Sequence, residues 1–460
     1  MASTDLSLFP DELLPAQPCS TSRAPPAALA RSVRVQMPDR RQLEMRAVDL
    51  ESTIPDDHRA RTVWAYVEQV NLGALYARIK AVEGGVGRSP IAPEVLLALW
   101  LFATLEGVGS ARAIARLTDE HDAYRWLCGG VSVNYHTLAD FRVGHGNLLD
   151  ELLTSSVASL LSVGAVKMTR LAQDGMRVRA SAGSKSFRRK ATLEECLKQA
   201  KERVAKLKSE IDVDPSGPSR REAAARNRVA RERQEKIEQA LRRLPKLEEA
   251  KARQNERSKK KVKEARVSMT DPEATIMKMP NGGYNPAYNA QFCTDTESQV
   301  IVGVDMLMEG TDHGQLTPML EQVEARYVRT PNEYLVDGGY VSVQQIEAVE
   351  SKCTVYAPVP ERSRDTLGPH APHPKDTPGV ARWRARMGTE EAKAIYKDRA
   401  STAECVNALA RERGLTRLRV RGLEKTKAVL TVYALAHNLM RIAKLAPQLL
   451  GFGPQRFKTA

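Results

Sequence analysis

Between about residues 58 and 165 the apolar positions recur at helical spacing, broken by short polar turns. Pro93 and Glu94 suit a first helical turn, and a strongly apolar run at 95–102 follows them. Gly107 and Gly109 interrupt the run. Ser110 then reads as an N-cap for a helix at 111–117, and Asn134 or His136 precedes another at 137–142. Short helices joined in this way make either a helix-turn-helix DNA reader or an ordinary helical bundle.

From Arg170 the period changes. Residues 171–174 and 176–180 alternate as a strand does. Leu193, Leu197, Ala200, Val204, Leu207 and Ile211 then keep the 4-3-4-3-4 spacing of a coiled-coil seam. Asp214-Pro-Ser-Gly-Pro218 predicts a turn. Ile237, Ala240, Leu244 and Leu247 line a return helix, in which Pro245 predicts a kink. The hairpin ends near Arg266. Alternation resumes at 288–295 and 300–307, with a hairpin turn at 296–299. A helix at 315–326, a short strand ending at Asp337, a helix at 344–351 and a strand at 353–358 follow. After a Pro-, Arg- and His-rich loop come helices at 388–413 and 425–444. This order predicts a mixed α/β sheet with helices on its faces.

Charge sharpens the picture of the hairpin. The net charge is +14, and residues 185–266 hold 27 Lys and Arg against 14 Asp and Glu. One segment therefore carries nearly all the surplus, as expected of a polyanion binder or of a solvated coiled-coil surface. No apolar run approaches the roughly 20 residues of a membrane span, and no signal pattern opens the chain. The reading is of a soluble intracellular protein with a disordered tail at 1–45. Six scattered cysteines form no CxxC pair, which argues against a disulfide framework or zinc knuckle. His370 and His373 have a suggestive spacing but no third ligand nearby.

Three acids stand where this pattern lets carboxylates converge. Asp174 lies in the first strand, Asp337 ends a later one, and Glu404 sits in the final helices, which can lean across the same sheet edge. Carboxylates are hard oxygen donors suited to Mg²⁺, and two ions roughly 3.5–4 Å apart can stabilise both oxygens of a phosphodiester displacement. Each acid alone has a plain reading: Asp-Gly is a common turn, and a helical Glu is usually solvated.

The flanking residues add a resemblance. The ordered motifs are Gln173-Asp-Gly-Met-Arg-Val-Arg-Ala180, Ser186-Phe-Arg-Arg-Lys190, Thr270-Asp-Pro-Glu-Ala274, Tyr288-Asn-Ala-Gln-Phe292 and Val336-Asp-Gly-Gly-Tyr340. After them come Trp383-Arg-Ala-Arg-Met387, Tyr396-Lys-Asp-Arg399 leading to Glu404, Arg421-Gly-Leu423 and Ala436-His-Asn-Leu439. Over about residues 55–445 the chain resembles bacterial DDE-type insertion-sequence transposases, of the IS-five or IS-eleven-eighty-two-like group. The resemblance implies an RNase H-like catalytic domain at 166–186 and 267–445, an all-α DNA-binding and dimerisation domain at 46–165, a basic coiled-coil insertion at 187–266 and a C-terminal tail at 446–460. It implies that Asp174, Asp337 and Glu404 are the catalytic acids and hold Mg²⁺ or Mn²⁺, two ions in all. Tyr396, Arg399, Glu404 and Arg411 match the family's Tyr-Arg-Glu-Lys signature, with Arg411 in place of the usual Lys; Tyr396, Arg399, Arg411 and Arg421 are the implied DNA-binding residues. After Glu404 the chain has Cys-Val-Asn-Ala, where relatives usually carry Pro and an aromatic residue.

The implied activity is metal-dependent cleavage at terminal inverted repeats and strand transfer to target DNA, by a homodimer acting on double-stranded DNA in the bacterial cytoplasm, at the nucleoid. Two other readings stay open: a catalytically silent DNA-binding derivative of a transposase, and a stand-alone nuclease. Asp295, Asp305, Glu309 and Asp312 are read as structural, or as supports of the three acids.

Overall fold

The first half of the folded chain is helical because its apolar residues recur every three to four positions. In the computed structural model, which describes residues 47, 49–81, 89–213, 217–258, 264–361 and 368–451, this region comprises α1 (Arg59–Gln69), α2 (Gly73–Tyr76), α3 (Pro93–Leu105), α4 (Ala111–Glu120), α5 (Asp122–Cys128), α6 (Tyr135–Gly144) and α7 (Gly146–Ser162). The expected tail at 1–45, the turn residues 214–216 and the end of the C-terminal tail, 452–460, lie outside the described residues. Contacts divide the chain into 1–48 and 49–460, and every element named here belongs to the second unit. Pro93 takes the first turn of α3, and Ser110 and Asn134 cap α4 and α6 by accepting from Ala113 N and Thr137 N. Helix α3 is buried along nearly its whole length, between α1, α5 and the C-terminal α15 (Leu423–Leu445).

The sheet is mixed. Its strands are β1 (Arg170–Arg179), β4 (Thr275–Lys278), β5 (Tyr284–Asp295), β6 (Ile301–Leu307), β7 (Glu333–Leu335) and β8 (Thr354–Tyr356), and its order is β4-β5-β1-β7-β8, with β6 also paired to β5. The pairs β1–β5, β4–β5 and β5–β6 are antiparallel, whereas β1–β7 and β7–β8 are parallel. Helices α10 (Leu316–Tyr327) and α11 (Val343–Glu350) make the crossovers. Strand β4 had no counterpart in the periodicity, being a four-residue edge against the N-terminal half of β5.

The outer edge of β6 is closed by α15. Asn438 takes Ile301 N on its Oδ1 and gives its Nδ2 to Ile301 O, both at 2.8 Å, so one amide replaces a strand neighbour. His437 Nε2 meets Gln299 O at 2.8 Å, and Arg441 Nε donates to Ser298 O at 2.7 Å. The start of α15 is held by acids: Gly422 N donates to Asp271 Oδ1 and Leu423 N to Glu273 Oε2, the anion-at-N-terminus arrangement. The Thr270–Ala274 motif thus caps a helix 150 positions away. Gly422 sits at φ +89°, where a side chain is strained.

Between β1 and β4 the chain leaves through β2 (Phe187–Arg188), runs up α8 (Lys190–Val213) and down α9 (Gly217–Ser258), and returns through β3 (Val267–Ser268), which pairs antiparallel with β2. The hairpin has its own core of Leu193, Ala200, Ile237, Ala240 and Leu244, separate from the main one. Val204 of the expected seam is only half-buried. Helix α9 continues through Pro245 without a break in assignment. Arg243 fastens the hairpin to the body by donating to Pro272 O, Ala274 O and Thr275 Oγ1.

The loop after β8 holds a further helix, α12 (Pro378–Met387), that the Pro- and Arg-rich composition concealed; Pro378 sits in its first turn. The expected single helix at 388–413 is α13 (Glu390–Arg399), a π turn (Ala400–Glu404) and α14 (Cys405–Glu412).

Candidate active site

Strands β1 and β7 run parallel with Ala172 level with Leu335. Two residues beyond that last pair stand Asp174, still within β1 and paired with Phe292 of β5, and Asp337, so the two acids stand at the same height on adjacent strands. Asp337 lies past the end of β7 rather than in it. Its Oδ1 accepts Gly339 N at 2.7 Å, and this capping bond turns the chain into a 3₁₀ turn.

Asp174 is largely enclosed. Its Oδ1 accepts Gly175 N at 2.9 Å, and its Oδ2 accepts Asn407 Nδ2 at 2.9 Å with Arg399 Nη1 at 3.8 Å. Burial pushes its carboxyl up to about 6; Arg399 and the Gly175 N–H pull against this, and Asp337 and Asp312 add to it. The π turn makes the double contact from the helical side. It holds one residue more than an α-turn, so Arg399 before it and Asn407 after it both face Asp174. Arg170 at the start of β1 pairs with Glu333 of β7 and with Asp398, fixing the end of α13 over the sheet.

Glu404 ends the π turn, which packs against β1 and β5. Its side chain is exposed, and among the described residues it takes part in no hydrogen bond or ion pair. Of the three sequence-predicted acids, the structure therefore gathers Asp174 and Asp337 and leaves Glu404 on the neighbouring face of the helix. Tyr396 is half-buried with Arg399 over its ring at 5.8 Å. Arg399 is mostly enclosed, yet its Nε and Nη1 have no hydrogen-bond acceptor. Arg411 is exposed on α14, and Arg421, also exposed, donates Nε to Ser181 O at 3.0 Å.

The other face of β1 carries a polar network that sequence reasoning did not anticipate. Gln173 Nε2 donates to Gln291 Oε1 at 3.1 Å, Tyr334 OH donates to Gln173 Oε1 at 2.9 Å, and Tyr340 OH donates to Gln291 Oε1. Gln291 Nε2 and Asn289 Nδ2 both donate to Asp312 Oδ1 at 2.7 Å. The alternation in Tyr288–Phe292 encodes this: Asn289 and Gln291 face the network, while Phe292 packs against Tyr433. Of the remaining acids, Glu309 is exposed, and Asp295 and Asp305 have partners. Asp295 caps its own turn through Ser298 N and Oγ, and Asp305 pairs with Lys427 at 2.8 Å.

A divalent cation can be tested against this set. Among the described residues no three His, Cys, Asp or Glu side chains are grouped to hold one. The donor chemistry nevertheless suits a hard cation: beside the two aspartates, the buried amide oxygens Asn407 Oδ1 and Asn289 Oδ1 lack any partner. Asn407, close behind the predicted Glu404 match, was legible only as a departure from the family pattern.

Among the described residues, no helix is long and apolar enough to cross a membrane. Comparison with curated proteins and with solved structures gave no match. Two family models do match: Transposase domain (DUF772) at residues 48–143 and Transposase DDE domain at residues 350–443. The first covers helices α1 to α6, and the second contains Tyr396, Arg399, Glu404, Asn407, Arg411 and Arg421; Asp174 and Asp337 lie outside both. With one such domain near either end of the described chain, the matches indicate a transposase function.

Proposed function

We propose that the protein cuts DNA at the terminal inverted repeats of an insertion sequence and joins the ends to target DNA, using Asp174, Asp337 and Glu404 with Mg²⁺ or Mn²⁺. The observation that carries this reading is that Asp174, within β1, and Asp337, just past β7, stand level on adjacent parallel strands, beside an Arg399 whose Nε and Nη1 lack a hydrogen-bond acceptor among the described residues. Three antiparallel strands continued by two parallel ones, with the acids on β1 and after β7, support the RNase H-like assignment. Asp174 and Asp337 would hold the cation, and Glu404 would join them from the π turn. A bound cation supplies charge neutralisation at the reacting phosphate. Arg399, its guanidinium fixed on Tyr396, holds the phosphate beside the acids, because a charged donor without an acceptor is costly until an anion meets it. Arg411 and Arg421 extend this basic surface, and the hairpin's exposed cations grip flanking DNA; the active form is a homodimer.

The test is cleavage and strand transfer on DNA bearing the element's own ends. Asp174→Ala, Asp337→Ala and Glu404→Ala should each lose cleavage while DNA binding stays measurable. Near wild-type cleavage by any one removes that residue from the mechanism. The exposed, unpaired Glu404 favours one second reading, a DNA-binding protein without catalysis; absence of cleavage by the wild-type chain with bound DNA would establish it.

A further inference from the structure

Asp312 stands in the loop between β6 and α10, and the roles given to the other acids leave it without one. Its Oδ1 is anchored by two amides, Asn289 Nδ2 and Gln291 Nε2. Among the described residues its Oδ2 has no hydrogen bond, and Arg177 Nη2 is 3.9 Å away. The glycines beside the two proposed catalytic aspartates report where this carboxylate lies. A Cβ on Gly175 would fall 2.3 Å from Asp312 Oδ1. A Cβ on Gly339 would fall 3.7 Å from Asp312 Oδ2 and 3.0 Å from Asp337 Oδ1. The carboxylates of Asp312 and Asp337 thus flank one point, and the glycine of the Asp174-Gly175 pair keeps the space that Asp312 uses.

A second observation points to a ligand. Asn289 is 1% exposed, and its Oδ1 has no partner. Asp312, an acceptor when ionised, dictates which end of this amide faces it, so the orphan atom is the oxygen. That oxygen lies 2.9 Å from the same Cβ position on Gly175. A buried amide oxygen without a partner, next to the carboxylate of Asp312, is satisfied by a cation or by water on one.

We propose that Asp312 is a further ligand of the metal centre, binding a Mg²⁺- or Mn²⁺-class ion through Oδ2 together with Asp337, with Asn289 Oδ1 completing the oxygen set. The inference rests on the metal-dependent reading above. Glu404 would approach from the π turn on the helical side, so the two acids would not compete for one place.

The experiment is Mn²⁺ titration of the full chain, followed by calorimetry, the electron paramagnetic signal of bound ion and the melting temperature with and without Mn²⁺. Asp312→Asn should weaken binding by about tenfold to a hundredfold and abolish the Mn²⁺-induced rise in melting temperature, without lowering the melting temperature in chelator. Gly175→Ala removes no acid but crowds Asp312 together with Gln291 and Asn289, and should weaken Mn²⁺ binding likewise. It carries the test alone if Asp312→Asn does not fold. Wild-type Mn²⁺ affinity in Asp312→Asn or Gly175→Ala, with binding lost in Asp337→Asn, overturns the role of Asp312 and leaves the metal reading intact. No Mn²⁺ binding by the wild-type chain overturns both.

Discussion

The hairpin α8–α9 and the end of the sheet at Asp174 answer to different physics. The hairpin holds itself together with residues close in sequence, a seam of Leu, Ala and Ile, and turns its many cations outward. The sheet end depends on partners far apart: Asn407 reaches Asp174 across 233 positions, and Gln173 reaches Gln291 across 118. One region is legible from periodicity and tolerant of change; the other is assembled by the whole fold and sensitive to single atoms. The contrast teaches where charge acts at long range and where it must be placed.

The largest effect expected from breaking the contrast is at the acids. Asp174→Ala or Asp337→Ala should lower the cleavage rate by about a thousandfold or more, roughly 4 kcal/mol of transition-state stabilisation, in single-turnover assays. Circular dichroism and DNA affinity should stay close to wild type.

Removing residues 190–262, with β2 and β3 rejoined, should instead weaken DNA binding and flatten its dependence on salt. The slope of log K against log salt should fall by about 0.9 for each phosphate that is no longer neutralised. An unchanged slope would mean that the hairpin's cations do not meet phosphate.

Stability against pH sharpens the comparison through two shifted groups, His437 on the helix that closes β6 and Asp174 in β1. His437 is buried neutral against Gln299 O, and burial pulls its pKa down to about 4. The unfolded chain therefore binds the extra proton between about pH 6.5 and 4, and stability falls as the pH drops through that window, by up to about 3 kcal/mol. Denaturant titrations of wild type and His437→Gln should differ in this slope. Asp174 acts with the opposite sign: its carboxyl, raised to about 6, makes stability fall as the pH rises from about 4 to 6. In chelator at pH 7.5, Asp174→Asn should stabilise the protein by about 1–2 kcal/mol, the smallest of these effects. A destabilised Asp174→Asn would show that Asn407 and Arg399 already offset the burial of that charge.

Parts of this arrangement are legible in the order of residues alone. The α/β alternation announces the mixed sheet, the 4-3-4 seam announces the hairpin, and Ser110 and Asn134 announce their helices through local capping. The site is legible only in its acids. Asp312 looks like any loop aspartate, because the two amides that anchor it come from β5 and the glycines it abuts from β1 and the turn after β7. The π turn is hidden for the same reason: the sequence at 400–404 has no breaker, and the extra residue is accommodated by packing on β1 and β5.

The sequence by itself determined the period of each segment, the excess of positive charge in one of them and the order of the acids, because these depend on neighbours within a few residues. Tertiary structure alone decided that Asp174 and Asp337 stand at one level, that Asn407 and Arg399 both reach Asp174, and that Glu404 remains outside that contact. Such placements follow from strand register and helix packing, whose energies are summed over the entire body and written in no single stretch of it.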